Sequence, residues 1–182
     1  AANPADVALA THYAHLLNAA GRAQRPEAER IFRAIVARQP GAGLALYGLA
    51  GVVADRGDLA QALALALRAV ARLPGHAESL ALLARLALRV GQVPRAERLF
   101  RRLQRDFPAR PEAWLGLADA LEAQGRRGEA VGALRRGLAR LPGDAALQAR
   151  LRALTAPPSL PARLAARLRG MLGRRGPGGA PG

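Results

Sequence analysis

The chain has 182 residues, enough for one domain with a sizeable core. Apolar residues make up 51 %, which excludes an intrinsically disordered chain, and no window approaches ~18 apolar residues without a charge, which excludes a membrane-spanning helix. Cysteine is absent, so disulfides, thiolate metal sites and cysteine nucleophiles are excluded, and the net charge of +15 rests on arginine alone, because lysine is absent too.

Replacing every lysine by arginine is not an electrostatic choice. With the abundance of Ala, Gly and Pro it reads as a GC-rich coding bias, and it weakens any step from basicity to nucleic-acid binding. The charge is also uneven: residues 1–144 hold all 13 acids and are net +8, whereas residues 145–182 hold seven arginines, no acid, and are net +7.

In chain order, residues 1–6 come first. Pro4 falls where the closing proline of an earlier unit would lie, so the chain reads as starting at a seam in a longer array; Asn3 and Pro4 read equally as an N-cap and a first-turn proline. Residues 7–42 carry a first helix through Tyr13, Ala14 and Leu17, stopped at Gly21, and a second through Ala28 and Phe32, closed by Pro40. Two more residues separate Gly21 from Ala28 than separate their counterparts downstream. Residues 43–76 repeat the pattern with Leu46, Leu49, Ala50, Val53, Gly57, Ala62, Ala66 and Pro74. Residues 77–110 give Leu80, Leu83, Ala84, Ala87, Gly91, Ala96, Phe100 and Pro108, and residues 111–144 give Trp114, Leu117, Ala118, Leu121, Gly125, Ala130, Leu134 and Pro142. Pro40, Pro74, Pro108 and Pro142 stand 34 residues apart.

Each recurring position has a physical task. The Leu-Ala pair and the apolar residue three further on share one face of a helix. Gly takes the left-handed conformation that ends it. The Ala of the second helix lets two backbones approach, the residue four later extends that face, and Pro stops the helix because it lacks an N–H. Residues 145–155 follow with a stripe of Leu147, Leu151 and Leu154 and read as a capping helix. Residues 156–182 begin with a Pro-rich linker, pass through an amphipathic stretch (Leu164, Leu168, Met171 and Leu172 against Arg163, Arg167 and Arg169) and end in a Gly/Pro/Arg tail.

This pattern resembles the tetratricopeptide repeat family, with its W-x2-L-G-x2-Y, A-x3-F and P signature over 34 residues, across about residues 7–154. The resemblance implies an all-α fold, a right-handed α-solenoid of antiparallel helix pairs, four repeats long. It also implies that the first helices line a concave groove for a peptide or partner subunit. By register the groove residues are Thr11, His15 and Asn18; Tyr47, Gly51 and Asp55; Leu82, Arg85 and Arg89; and Leu115, Asp119 and Glu122. Tyr47 is the best anchor, offering apolar area and a hydroxyl. Arg85 and Arg89, one turn apart, suit a carboxylate or phosphate. The lysine- and asparagine-containing clamp of chaperone-binding relatives is not expected, because lysine is absent and Asn3 and Asn18 are the only asparagines.

Catalytic chemistry is sparse, and the reading is a non-enzyme without cofactor, metal or small-molecule substrate. His12 and His15 share a helix face but have no third ligand near in sequence, and His76 follows Pro74-Gly75 in a turn. Ser79 and Ser159 lack a nucleophile-elbow context, and Gly41-Ala42-Gly43 lacks the rest of a phosphate loop. Trp114 reads as core. Two other functions stay open. The chain can be the repeat part of a longer protein, for example one fused to a transferase. Its C-terminal segment, through Arg163, Arg167, Arg169, Arg174 and Arg175, can touch anionic lipid or nucleic acid. No secretory leader is visible, and localisation stays open between cytoplasm and periplasm.

Overall fold

The computed structural model describes residues 4–156. The amphipathic segment and basic tail, with Arg163, Arg167, Arg169, Arg174 and Arg175, lie outside the described residues. Within them the chain is a succession of helices, α1 (Pro4–Ala20), α2 (Arg25–Arg38), α3 (Gly43–Asp55), α4 (Leu59–Arg72), α5 (Ala77–Arg89), α6 (Val93–Asp106), α7 (Pro111–Glu122), α8 (Arg127–Arg140) and α9 (Ala145–Thr155). Each helix packs on its neighbours in sequence, and first helices also meet first helices: α1 with α3, α3 with α5, α5 with α7 and α7 with α9. This is an all-α solenoid of four helix pairs and a capping helix.

The punctuation works as the residues dictate. Gly57, Gly91 and Gly125 have φ of +98°, +79° and +74°. In that conformation the next residue's N–H turns back onto the first helix, Asp58 to the Val53 carbonyl (3.2 Å), Gln92 to Ala87 (2.8 Å) and Arg126 to Leu121 (2.9 Å). Asp58 then accepts the Gln61 N–H at 3.0 Å and so caps α4, and Asp144 accepts from Leu147 at 2.9 Å to cap α9. At the other end of each pair the residue before the proline (Gln39, Leu73, Phe107, Leu141) has φ between −127° and −138°, which is where a following proline pushes it, and the second helix ends there.

Packing between pairs is matched by size. Gly48 of α3 lies under the fully buried Phe32 ring of α2, and Gly116 of α7 under Phe100 of α6; a Cβ on either would fall 2.3 Å or 2.1 Å from ring carbon. Between these two interfaces the order is reversed, with the small Ala66 on α4 and the large Leu82 on α5 at the same register, both buried. Trp114 is 5 % exposed; its ring sits against Gly137 and its indole N–H donates to the Pro108 carbonyl at 2.9 Å, so it is core.

Candidate binding groove

The first helices supply one wall of side chains. A cleft of about 340 Å³ opens between α1, α3 and α5, lined by His15 and Asn18, Tyr47, Gly51 and Asp55, and Leu82, Arg85 and Arg89. These eight belong to the twelve positions expected from the repeat register. Gly48, Ala54 and Leu86 complete the lining and were not among them; they are the small and apolar residues at its floor.

The other four are placed differently. Thr11 is buried, its hydroxyl donates to the Val7 carbonyl at 2.7 Å, and it lines a neighbouring recess rather than this cleft. Leu115 is half-buried against the core of the third and fourth pairs. Asp119 and Glu122 are taken by α9: the Arg150 guanidinium donates to Asp119 Oδ1 from Nε (2.9 Å) and Nη2 (2.7 Å), and also to Glu122. The capping helix enters where a further first helix would stand, so its side chain occupies the acidic end of the groove. Sequence register assigns these acids to the first-helix face, and their counter-ion lies about 30 residues on, beyond what register can show.

The electrostatics of the open part are set by who is already paired. Asp55 is held by Arg25 at 3.1 Å, and Glu78 by Arg110 and, at 3.3 Å, by His76 Nε2. Arg85 and Arg89 have no acidic partner among the described residues. The Asn18 Oδ1 is buried with no hydrogen-bond partner among them. Burial raises the Tyr47 hydroxyl above its ordinary pKa against the opposing charge of Arg85. His15 is pushed below its ordinary value by burial, against the Leu44 carbonyl that Nε2 approaches at 3.2 Å.

His15, Tyr47 and His76 form a run of rings, His15 stacked on Tyr47 at 5.8 Å and Tyr47 edge-on to His76 at 5.3 Å. It separates the cationic cleft from a larger recess of about 680 Å³, lined mostly by apolar groups such as Val7, Leu44 and Leu73. His76 is half-buried here and not a free turn residue. Its Nδ1 accepts the Ser79 N–H at 3.2 Å and caps α5. The signal for it is H-x-x-S before an apolar run, a capping pattern with His in place of the usual Ser or Asp. No group of three His, Asp or Glu side chains able to hold a metal occurs among the described residues, and no helix there is long and apolar enough to cross a membrane.

Comparison with known proteins places the architecture. A tetratricopeptide repeat family model matches residues 13–77 and 82–145. Among solved structures, MamA from Desulfovibrio magneticus RS-1 superimposes with a TM-score of 0.70 at 16 % identity, over 81 % of this chain and 82 % of that one. YrrB, described as a tetratricopeptide repeat protein with an unusual peptide-binding site, gives 0.66 at 16 % identity, over 80 % and 74 %. A Thermobaculum terrenum O-GlcNAc transferase mutant gives 0.63 at 24 % identity, over 75 % of this chain and 27 % of that one. No curated protein matches the sequence. The family match spans most of the chain and coincides with the helix pairs, so the chain belongs to the tetratricopeptide repeat family, a non-catalytic scaffold fold in general.

Proposed function

We propose that the chain is an interaction scaffold that holds a peptide or partner subunit in the cleft between α1, α3 and α5. One observation carries this reading: Tyr47, Arg85, Arg89 and Asn18 line a single concavity. Arginines four apart on a helix stand about 6 Å apart along its axis and act on the same ligand group. With Asp55 and Glu78 already engaged, the cleft has positive charge to spare. Because Arg150 fills the far end, the partner enters from the first three repeats. The likeness to YrrB, whose description names a peptide-binding site, supports the reading at the level of fold. The likeness to the transferase covers 27 % of that chain and likewise extends to the fold alone.

The test is capture from a lysate at low and high salt with three baits: the whole chain, the Tyr47→Ala/Arg85→Ala/Arg89→Ala variant, and a chain ending at Thr155. A protein that survives high salt, is kept by the truncated bait and is lost by the triple variant is the expected result. Capture that vanishes with salt and with the tail would move the function to anionic-surface contact by the C-terminal segment.

A further inference from the structure

Two glycines stand in the middle of α3, and only one of them is required by packing. A Cβ on Gly48 would strike the Phe32 ring at 2.3 Å, so that residue is small to let α2 and α3 approach. A Cβ on Gly51 would meet nothing within 4 Å outside its own stretch of helix. Glycine in a helix interior is destabilising relative to alanine, and no contact within the protein asks for it here. Glycine also serves where another chain must come close to the backbone. Gly51 lines the cleft, and one step of 34 residues carries it to Arg85 on α5. The α3 backbone is therefore open at the height of that arginine.

His15 and Tyr47 line both the cleft and the larger recess, so the two concavities adjoin. Their chemistry is opposite. Arg85 and Arg89 give the cleft cationic groups without an acidic partner among the described residues. The recess of about 680 Å³ has Val7, Leu44 and Leu73 in its lining, and no carboxylate or arginine among the described residues that line it. Leu44 is 47 % exposed, an apolar side chain left open to solvent. Several polar groups beside it are already engaged: the Thr11 hydroxyl donates to the Val7 carbonyl, His15 Nε2 lies at the Leu44 carbonyl, and His76 Nδ1 accepts the Ser79 N–H. The recess therefore offers a ligand apolar area rather than charge. Both volumes fall in the range of about 300–1,000 Å³ that takes a bound group. Leu44 stands seven residues before Gly51, about 10 Å along the helix axis. An extended chain covers that distance in about three residues.

We propose, resting on the reading of the cleft as the partner's site, that the groove takes an extended peptide segment with an acidic side chain on Arg85 and Arg89 and a large apolar side chain, about three residues away, in the Leu44 recess. The peptide backbone passes over Gly51 and the Tyr47 ring. The cleft runs on from Arg85 to Arg89 and Asp55, so the acid belongs to a segment that continues rather than to a chain end. The pair of requirements is what makes the site selective. An exposed ion pair alone contributes little in water, and an apolar pocket alone accepts many side chains.

The test is binding of the whole 182-residue chain to an array of nine-residue peptides of glycine and serine. Because lysine is absent, an amine-reactive dye labels the chain at its N-terminus alone. The peptides bear one aspartate, one phenylalanine, or both at every separation from one to five, each in amidated and free-acid form. Amidated peptides with the two residues about three apart are expected to bind about tenfold more tightly than those with either residue alone. Arg85→Ala/Arg89→Ala should lose the effect of the aspartate, and Leu44→Glu that of the phenylalanine. Gly51→Leu should lose both, with a melting temperature at or above that of the unaltered chain. An array on which the pair binds no better than single residues, or equally at every separation, would overturn the proposal. So would binding by free-acid peptides alone, or a Gly51→Leu chain that binds as well as the unaltered one. Lysate capture separates this from the reading beneath it. A partner lost by the Tyr47→Ala/Arg85→Ala/Arg89→Ala variant but kept by Leu44→Glu and by Gly51→Leu would leave the cleft as the site and refute the pairing of acid and apolar residue. A partner kept by all of these variants would refute the cleft itself.

Discussion

Phe100 and Gly116 form the sharpest test of how the pairs stack. Truncating the buried Phe100 to Ala leaves a cavity and is expected to cost about 4 kcal/mol. Placing Leu at 116 starts from a Cβ 2.1 Å from the Phe100 ring, so overpacking costs about 3 kcal/mol, offset by about 1 kcal/mol of helix propensity over glycine. Added independently, the two changes would destabilise by about 6 kcal/mol. Together, however, they rebuild the small-on-α4, large-on-α5 arrangement that Ala66 and Leu82 already use one repeat earlier. The double variant is expected to lose only about 3 kcal/mol, a coupling of about 3 kcal/mol between the sites. Urea unfolding followed by far-ultraviolet circular dichroism measures all four corners of the cycle. Additive losses would refute the argument that interface residues are chosen by complementary volume.

Trp114→Ala is expected to cost about 3–5 kcal/mol in the same assay, since the ring is buried against Gly137 and its N–H is satisfied by Pro108. The Glu97 carboxyl is held down to about 2 by the Gln124 amide, against its own burial, with Arg101 and Arg126 adding to the effect. A carboxyl depressed in the folded state stabilises above its unfolded pKa of about 4.3, and that contribution is lost as pH falls toward 2. Glu97→Gln should flatten the acid limb of the stability curve and leave its slope above pH 6 unchanged, in thermal melts taken across that range. Asp58→Ala removes the cap of α4 and is expected to cost about 1 kcal/mol, and Asp58→Asn to restore most of it, by urea midpoint. Arg150→Gln frees Asp119 and Glu122, and hydrogen exchange should quicken in α9 while α3 and α4 keep their protection.

Much of this fold was legible because a repeat states its rules several times. The glycine that ends a first helix and the proline that ends a second each serve one local geometry, and local geometry is what a sequence shows directly. The eight cleft residues from α1, α3 and α5 were legible for the same reason, since register alone decides which face a side chain takes. What the register missed was decided by neighbours distant in sequence. Thr11 satisfies its hydroxyl on its own helix and turns away from the cleft. His76 is fixed by capping Ser79 and by the Tyr47 ring. Leu115 is drawn toward the core, and the acids of α7 answer to an arginine on α9.

That last pairing has a consequence for where a partner sits. The groove of a repeated array would be expected to run its whole length, with acids at α7 as open to a ligand as the arginines at α5. Arg150 breaks the symmetry, because its guanidinium is bonded to Asp119 Oδ1 and to Glu122 Oε2 and offsets part of their charge. That end keeps one net negative charge, half of what the two acids alone would carry, while Arg85 and Arg89, without such a partner among the described residues, keep theirs. A cap that only covered apolar surface would need Leu147 and Leu154, both buried, and nothing at position 150. By carrying an arginine there, α9 both closes the core and leaves the cationic part of the groove as its open part.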